Sequence, residues 1–144
     1  MDFGDSVKLA LARYGTIRGR SARAEFWFFI LFYVLVVSAT AIVDNIFGLT
    51  YALGDTDLFG QLPPEAVDTK GVTGFLGSVA SLILTLPILT VSIRRLQDTG
   101  RAAGWLLLGC IPLVGIIILI VWWCQRGTVG DNRFGPDPLL GKQA

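Results

Sequence analysis

Four arginines and two carboxylates stand at the edges of the long uncharged stretches of this 144-residue chain: Arg20, Arg23 and Glu25 before the first, Arg94, Arg95 and Asp98 after the second. A guanidinium group is planar, permanently charged and forked, so it pairs bidentately with carboxylate or phosphate. Charge at the edge of hydrocarbon must be paired or must reach the interface. Two chemistries follow. Glu25 and Asp98 can pair with arginines and lock two helices together. Alternatively, four guanidinium groups against two carboxylates leave spare positive charge, and basic pockets between helices hold anionic lipid headgroups. Asn132 and Arg133 in the tail are possible further members of this lipid- or anion-binding, or structural, polar cluster.

Catalysis has less to stand on. Asp98 could act as a general base on a lipid phosphate, with the arginines stabilising charge, but it has no second catalytic group and no nucleophile with a partner. No catalytic residue is assigned and no enzyme is expected. The chain has no histidine, which makes a His-dependent triad impossible and an ordinary zinc or haem site very improbable. Cys110 and Cys124 lie 14 residues apart in one apolar run. On a continuous helix that is about 21 Å, too far to bridge, so both are expected to be reduced, buried and metal-free. No cofactor is expected. A net charge of +1 excludes a polybasic nucleic-acid binder, leaving lipid, small solutes or membrane protein as partners.

The elements that position these residues are set by where charge is missing. Hydrophobic residues make up 53% of the chain and charged residues 16%, against about 25% charged in soluble domains. Phe26 to Val43, Phe75 to Ile93 and Ala102 to Cys124 carry no charge at all, and about 20 apolar residues suffice to span a bilayer. The expected fold is all-α: an integral membrane bundle of about three transmembrane helices over 25–46, 72–95 and 103–124, forming a single domain over 1–144. Phe3, Val7, Leu11 and Tyr14 mark one stripe of an additional amphipathic helix within 2–14. The basic leader and the Ser38-Ala39-Thr40-Ala41 run imitate a cleavable signal; the length of the leader and the apolar run past Ala41 favour a retained helix.

Residues 47–71 form a polar, acidic, non-cytoplasmic loop, and the Gly- and Pro-rich residues 125–144 a tail of turns. Pro87 should kink the second span. Gly77, Ser81 and Thr85 share a face that lets another helix approach closely, within the chain or in a homo-oligomer. Lysine and arginine number five before the first span, one in the long loop, three in the short connection and three in the tail. A crossing third helix with the amino terminus inside divides them 5 + 3 = 8 inside and 1 + 3 = 4 outside, which satisfies the positive-inside rule. If the third run turned back near Pro112, the division would be 11 to 1. Each arm would then reach only about 15 Å, with a turn at membrane depth, so the crossing helix is preferred.

Three blocks carry a resemblance: Gly19-Arg20-Ser21-Ala22-Arg23-Ala24-Glu25-Phe26-Trp27, Arg94-Arg95-Leu96-Gln97-Asp98-Thr99-Gly100, and Gly130-Asp131-Asn132-Arg133-Phe134-Gly135-Pro136. Together they resemble the bacterial inner-membrane family known as domain of unknown function 805, from about Tyr14 to Pro138 and in the same order. The chain departs from the family pattern at Gln97, where a His is usual. The resemblance implies a bacterial plasma-membrane location and brings no activity with it. The expected function is therefore non-enzymatic: binding of anionic phospholipid headgroups or of a membrane protein partner through the arginine and carboxylate cluster. An oligomeric solute or ion transporter component is the alternative.

Overall fold

A computed structural model describes residues 2–49 and 74–139. Among them are four α-helices, α1 (Phe3–Ala12), α2 (Arg23–Phe47), α3 (Phe75–Asp98) and α4 (Val114–Cys124), and a 3-10 helix over Ala103–Cys110. The described residues contain no strand; an isolated bridge joins Asn132 and Gly135. The fold is all-α. At 25 and 24 residues, α2 and α3 are long and apolar enough to cross a membrane, reaching about 36 Å at 1.5 Å per residue. They leave Phe47 71% and Leu82 76% exposed, a surface suited to lipid rather than water.

The chain forms two compact units, Met1–Phe32 with Thr85–Ala144, and Tyr33–Leu84. In the second unit Asp44 is fully buried. Its Oδ1 accepts the Leu76 N–H at 3.0 Å and its Oδ2 the Gly77 N–H at 2.8 Å. These are donors that the first turn of α3 cannot satisfy within its own helix. A carboxylate there also meets the positive end of the helix dipole. A Cβ on Gly74 would sit 2.0 Å from Asp44 Oδ2, and one on Gly77 3.4 Å from the same atom and 3.7 Å from Thr40 Oγ1. Of the three small residues singled out above, Gly77 thus makes a close approach inside the chain.

In the first unit Phe26 and Phe29 are buried on α2, Val91 and Leu96 on α3, and Leu119 on α4. The Phe26 ring lies 4.9 Å from that of Trp123. Pro87 is fully buried and α3 continues through it; the Thr90 hydroxyl donates to the Pro87 carbonyl at 3.0 Å. On α1 the residues turned inward are Ser6 and Ala10. Phe3, Leu11 and Tyr14 remain more than a third exposed, so the stripe read from the sequence flanks the packed face instead of forming it. Small side chains let α1 lie close while its large ones stay outside.

The third apolar run departs from expectation. In place of one helix over 103–124, the 3-10 helix ends at Cys110, the chain turns at 111–113, and α4 starts at Val114. Pro112 supplies no N–H to a helical ladder and disfavours its continuation. Leu113 takes φ 63° and ψ −69°, the values of a γ-turn, and the Val114 N–H donates to the Pro112 carbonyl at 2.8 Å. A Cβ on Gly115 would fall 1.7 Å from the Leu108 carbonyl oxygen, so only glycine permits the two arms to close. Cys110 and Cys124 are free, and both are exposed, where burial was expected; they lie on the outer surface of this apolar pair of arms.

Candidate functional site

The C-terminal turn of α3 organises the site. Gly100 takes φ 78°, its N–H donates to the Gln97 carbonyl at 3.0 Å, and the Arg101 N–H donates to the Leu96 carbonyl at 3.0 Å. This is a Schellman closure, which needs a residue able to adopt the left-handed conformation. It ends the helix with Arg95 and Asp98 on its last turn and Arg94 just before it, all buried.

Asp98 is a hub between two arginines. Its Oδ1 accepts Arg20 Nε at 2.9 Å and its Oδ2 accepts Arg95 Nη1. Each arginine spends further donors on backbone carbonyls between residues 123 and 135. Arg20 reaches Thr128 and Gly130, and more distantly Gly135 at 3.5 Å. Arg95 reaches Trp123 at 3.0 Å and Gln125, carbonyls at the end of α4 that no helical N–H can satisfy. The strapping is reciprocal, because Thr128 donates through N–H and hydroxyl to the Asp98 carbonyl at 2.9 and 3.0 Å. A Cβ on Gly127 would lie 2.0 Å from Asp98 Oδ2, so glycine is what lets the tail press onto the carboxylate.

A second pair lies on α2 and α3. Arg94 Nη1 donates to Glu25 Oε1 at 2.9 Å, both groups buried, while Arg94 Nε and Nη2 and the Ser21 hydroxyl make no hydrogen bond among the described residues. Burying a charge is tolerable only where it is paired and hydrogen-bonded. The buried guanidinium groups of Arg20, Arg94 and Arg95 are matched in number by the buried carboxylates of Glu25, Asp98 and Asp137 in the same unit.

The expected cluster residues therefore separate by role. Arg20, Arg95 and Asp98 form one network, and Arg94 and Glu25 another. Arg23 joins neither, is exposed, and lines a cavity of about 350 Å³ with Arg20, Asp98, Arg126, Gly127, Thr128 and Asp137. Asn132 and Arg133 do come to the end of α3. Asn132 Nδ2 donates to the Gln97 carbonyl at 3.0 Å and to Thr128 Oγ1 at 2.8 Å, and its Oδ1 accepts the Phe134 N–H at 2.9 Å. Arg133 Nη2 donates to the Gly100 carbonyl at 3.0 Å and its guanidinium lies 4.7 Å from the Phe134 ring centre.

Three contributors went unforeseen: Arg126, Asp137 and the carbonyls of residues 123–130. Carbonyls are invisible to residue type; the only available signal was the glycine at 127. Asp137 is held below the ordinary carboxylate range by the N–H groups of Leu139 and Gly130, each at 2.9 Å. No group of three or more His, Cys, Asp or Glu able to hold a metal occurs among the described residues.

Comparison with known proteins matches residues 14–136 to the model of a family described as "Protein of unknown function (DUF805)". The inner membrane protein YhaH of Escherichia coli K12 is 38% identical over 130 residues, covering 90% of this chain and 93% of that protein. The inner membrane protein YhaI of the same organism is 34% identical over 131 residues, covering 91% and 92%. No solved structure matches the chain significantly.

Proposed function

The chain belongs to the DUF805 family and is an inner membrane protein, and from that premise we propose that it binds anionic phospholipid headgroups, without converting them, at the basic rim of its buried arginine core. The observation that carries this reading is the division of labour among the arginines. Arg20, Arg94 and Arg95 are committed to carboxylates and carbonyls, whereas Arg23 and Arg126 belong to no ion pair among the described residues and face the same cavity. Beside them Ala22, Val129 and Leu139 offer apolar wall. A phosphate there would also meet the positive end of α2, which starts at Arg23.

In this reading α2 and α3 cross the membrane and the arginine core lies at the cytoplasmic face, with the amino terminus. Positive-inside bias supports it, since the chain up to Arg23 at the start of α2 and from Arg94 near the end of α3 to Arg101 holds eight of the twelve lysines and arginines. The exposed Phe3 and Leu11 of α1, with Tyr14 just beyond it, suit the headgroup layer at that face.

The test is retention of phosphatidylglycerol against phosphatidylcholine by the purified protein, read by native mass spectrometry. The wild type should keep phosphatidylglycerol unchanged in mass. Arg23→Ala with Arg126→Ala should weaken retention roughly tenfold, equivalent to about 1.4 kcal/mol, and added salt should weaken it further. Equal retention by the double variant refutes the site, and a lipid of altered mass refutes binding without conversion.

A further inference from the structure

The two arms of the third apolar run are antiparallel. Trp105 and Trp122 meet edge to face at 5.6 Å between ring centres, and the position of a Cβ on Gly109 is 3.6 Å from Leu119 Cδ1. At the far end the γ-turn joins them. The arms also match in length by an unexpected route: eight residues of 3-10 helix and eleven of α-helix reach about 16 Å each, at 2.0 and 1.5 Å per residue. Half of a typical hydrocarbon core is about 15 Å.

The surface chemistry is graded along that length. Leu107 is 72% exposed, Leu113 at the tip 76%, and Val114, Ile116 and Ile117 are exposed as well, with no charged side chain between Arg101 and Arg126. The base is different. There Arg101 lies 4.4 Å from the centre of the Trp122 ring, and Arg95 holds the Trp123 and Gln125 carbonyls. Tryptophan with arginine is the composition of a membrane interface. Backbone at membrane depth must satisfy its own polar groups, and around the tip four N–H groups are paired within the arms: Ile111 donates to Leu108, Val114 to Pro112, Gly115 to Ile111 and Ile117 to Leu113, while Pro112 has no N–H to satisfy.

We infer that the 3-10 and α4 arms form a re-entrant wedge that enters only the leaflet adjoining the Arg20–Asp98–Arg95 core, with the acyl chains of that leaflet as its partner and its tip near the bilayer midplane. The inference rests on the membrane location of the chain and not on headgroup binding at Arg23 and Arg126. Charge distribution agrees with it. A tail returned to the amino-terminal side places 5 + 3 + 3 = 11 of twelve lysines and arginines on one face, where a crossing helix would leave eight.

Sealed vesicles of the full-length protein test it in two steps, on a Cys110→Ser, Cys124→Ser background. Arg18→Cys, Ala102→Cys and Gln125→Cys should all react with a membrane-impermeant maleimide from the same side; reaction of 102 and 125 from opposite sides overturns the wedge and leaves the headgroup site standing. Leu113→Cys carrying a bimane should be quenched more strongly by nitroxide placed deep on an acyl chain than by nitroxide on the headgroup. Stronger quenching by the headgroup nitroxide, or labelling of position 113 by the impermeant reagent, overturns it as well.

Discussion

Two aspartates, one in each compact unit, are buried to nearly the same degree and are stabilised by opposite means. Asp44 has no cation beside it among the ion pairs of the described residues and rests on two backbone N–H groups at the start of α3. Asp98 sits between two arginines at the end of the same helix. In each case a glycine backbone, Gly74 or Gly127, closes over the carboxylate so tightly that a Cβ would stand 2.0 Å from Oδ2. The difference teaches where the chain has invested charge. Asp44 ties one helix end to another segment with dipoles alone, a purely structural joint. Asp98 gathers two buried cations that in turn hold five backbone carbonyls, those of Trp123, Gln125, Thr128, Gly130 and Gly135, so its charge fixes the path of the chain after α4.

The comparison breaks most visibly at Asp98. Asp98→Ala leaves Arg20 and Arg95 buried and unpaired, and should lower stability by about 3–5 kcal/mol, read as unfolding of the protein in detergent micelles. Limited proteolysis should then cut the tail near Thr128 first. A loss no larger than that of Asp44→Ala would show the two sites to be equivalent and the contrast drawn here to be mistaken.

Next in size are the glycines. Gly127→Ala and Gly74→Ala should each cost about 1–3 kcal/mol by overpacking, but they differ in rescue. At Gly74 the clash extends to the Asp44 Cβ at 2.2 Å, so adding Asp44→Gly should recover stability. At Gly127 the clash is with the carboxylate alone, and removing that carboxylate strands two arginines, so Asp98→Gly should make matters worse.

Asp44→Ala alone removes a capping acceptor, and should cost about 0.5–2 kcal/mol. Asp44→Asn, which keeps one oxygen acceptor, should fall between wild type and alanine in the same unfolding assay. Phosphatidylglycerol retention should be unchanged by either, whereas Arg23→Ala lowers it.

The smallest effect is at Asp137. Its folded pKa lies below the unfolded value of about 3.9, so its contribution is complete above that value and is lost as pH falls through the lower folded one. Asp137→Asn should flatten the acid limb of the stability profile below about pH 3.9 without changing stability's dependence on pH near neutrality.

Much of the architecture was legible in the residues. Runs of eighteen and nineteen uncharged residues became α2 and α3, because an apolar segment of that length has few ways to satisfy its backbone except as a helix. The Asp98-Thr99-Gly100 stop was readable as well, since a left-handed residue at the end of a helix favours glycine. Pairing of Glu25 and Asp98 with arginines followed from charge alone. Which arginine goes with which carboxylate did not: Arg20 and Arg23 are equally basic, yet the first is buried on Asp98 and the second stays exposed.

The third run shows where one-dimensional reading stops. Hydropathy from Ala102 to Cys124 is uniform and long enough to cross, and periodicity cannot distinguish a spanning helix from two half-length arms. That choice depends on a contact between segments: Gly115 against the Leu108 carbonyl, and the α4 carbonyls against Arg95. Membrane-helical character was determined by composition, since burial of backbone polar groups in lipid is a local requirement. The return of the tail to Arg20, Arg95 and Asp98 was decided only by tertiary structure, because carbonyls that accept from a distant arginine are common to every residue type and leave no mark in the sequence.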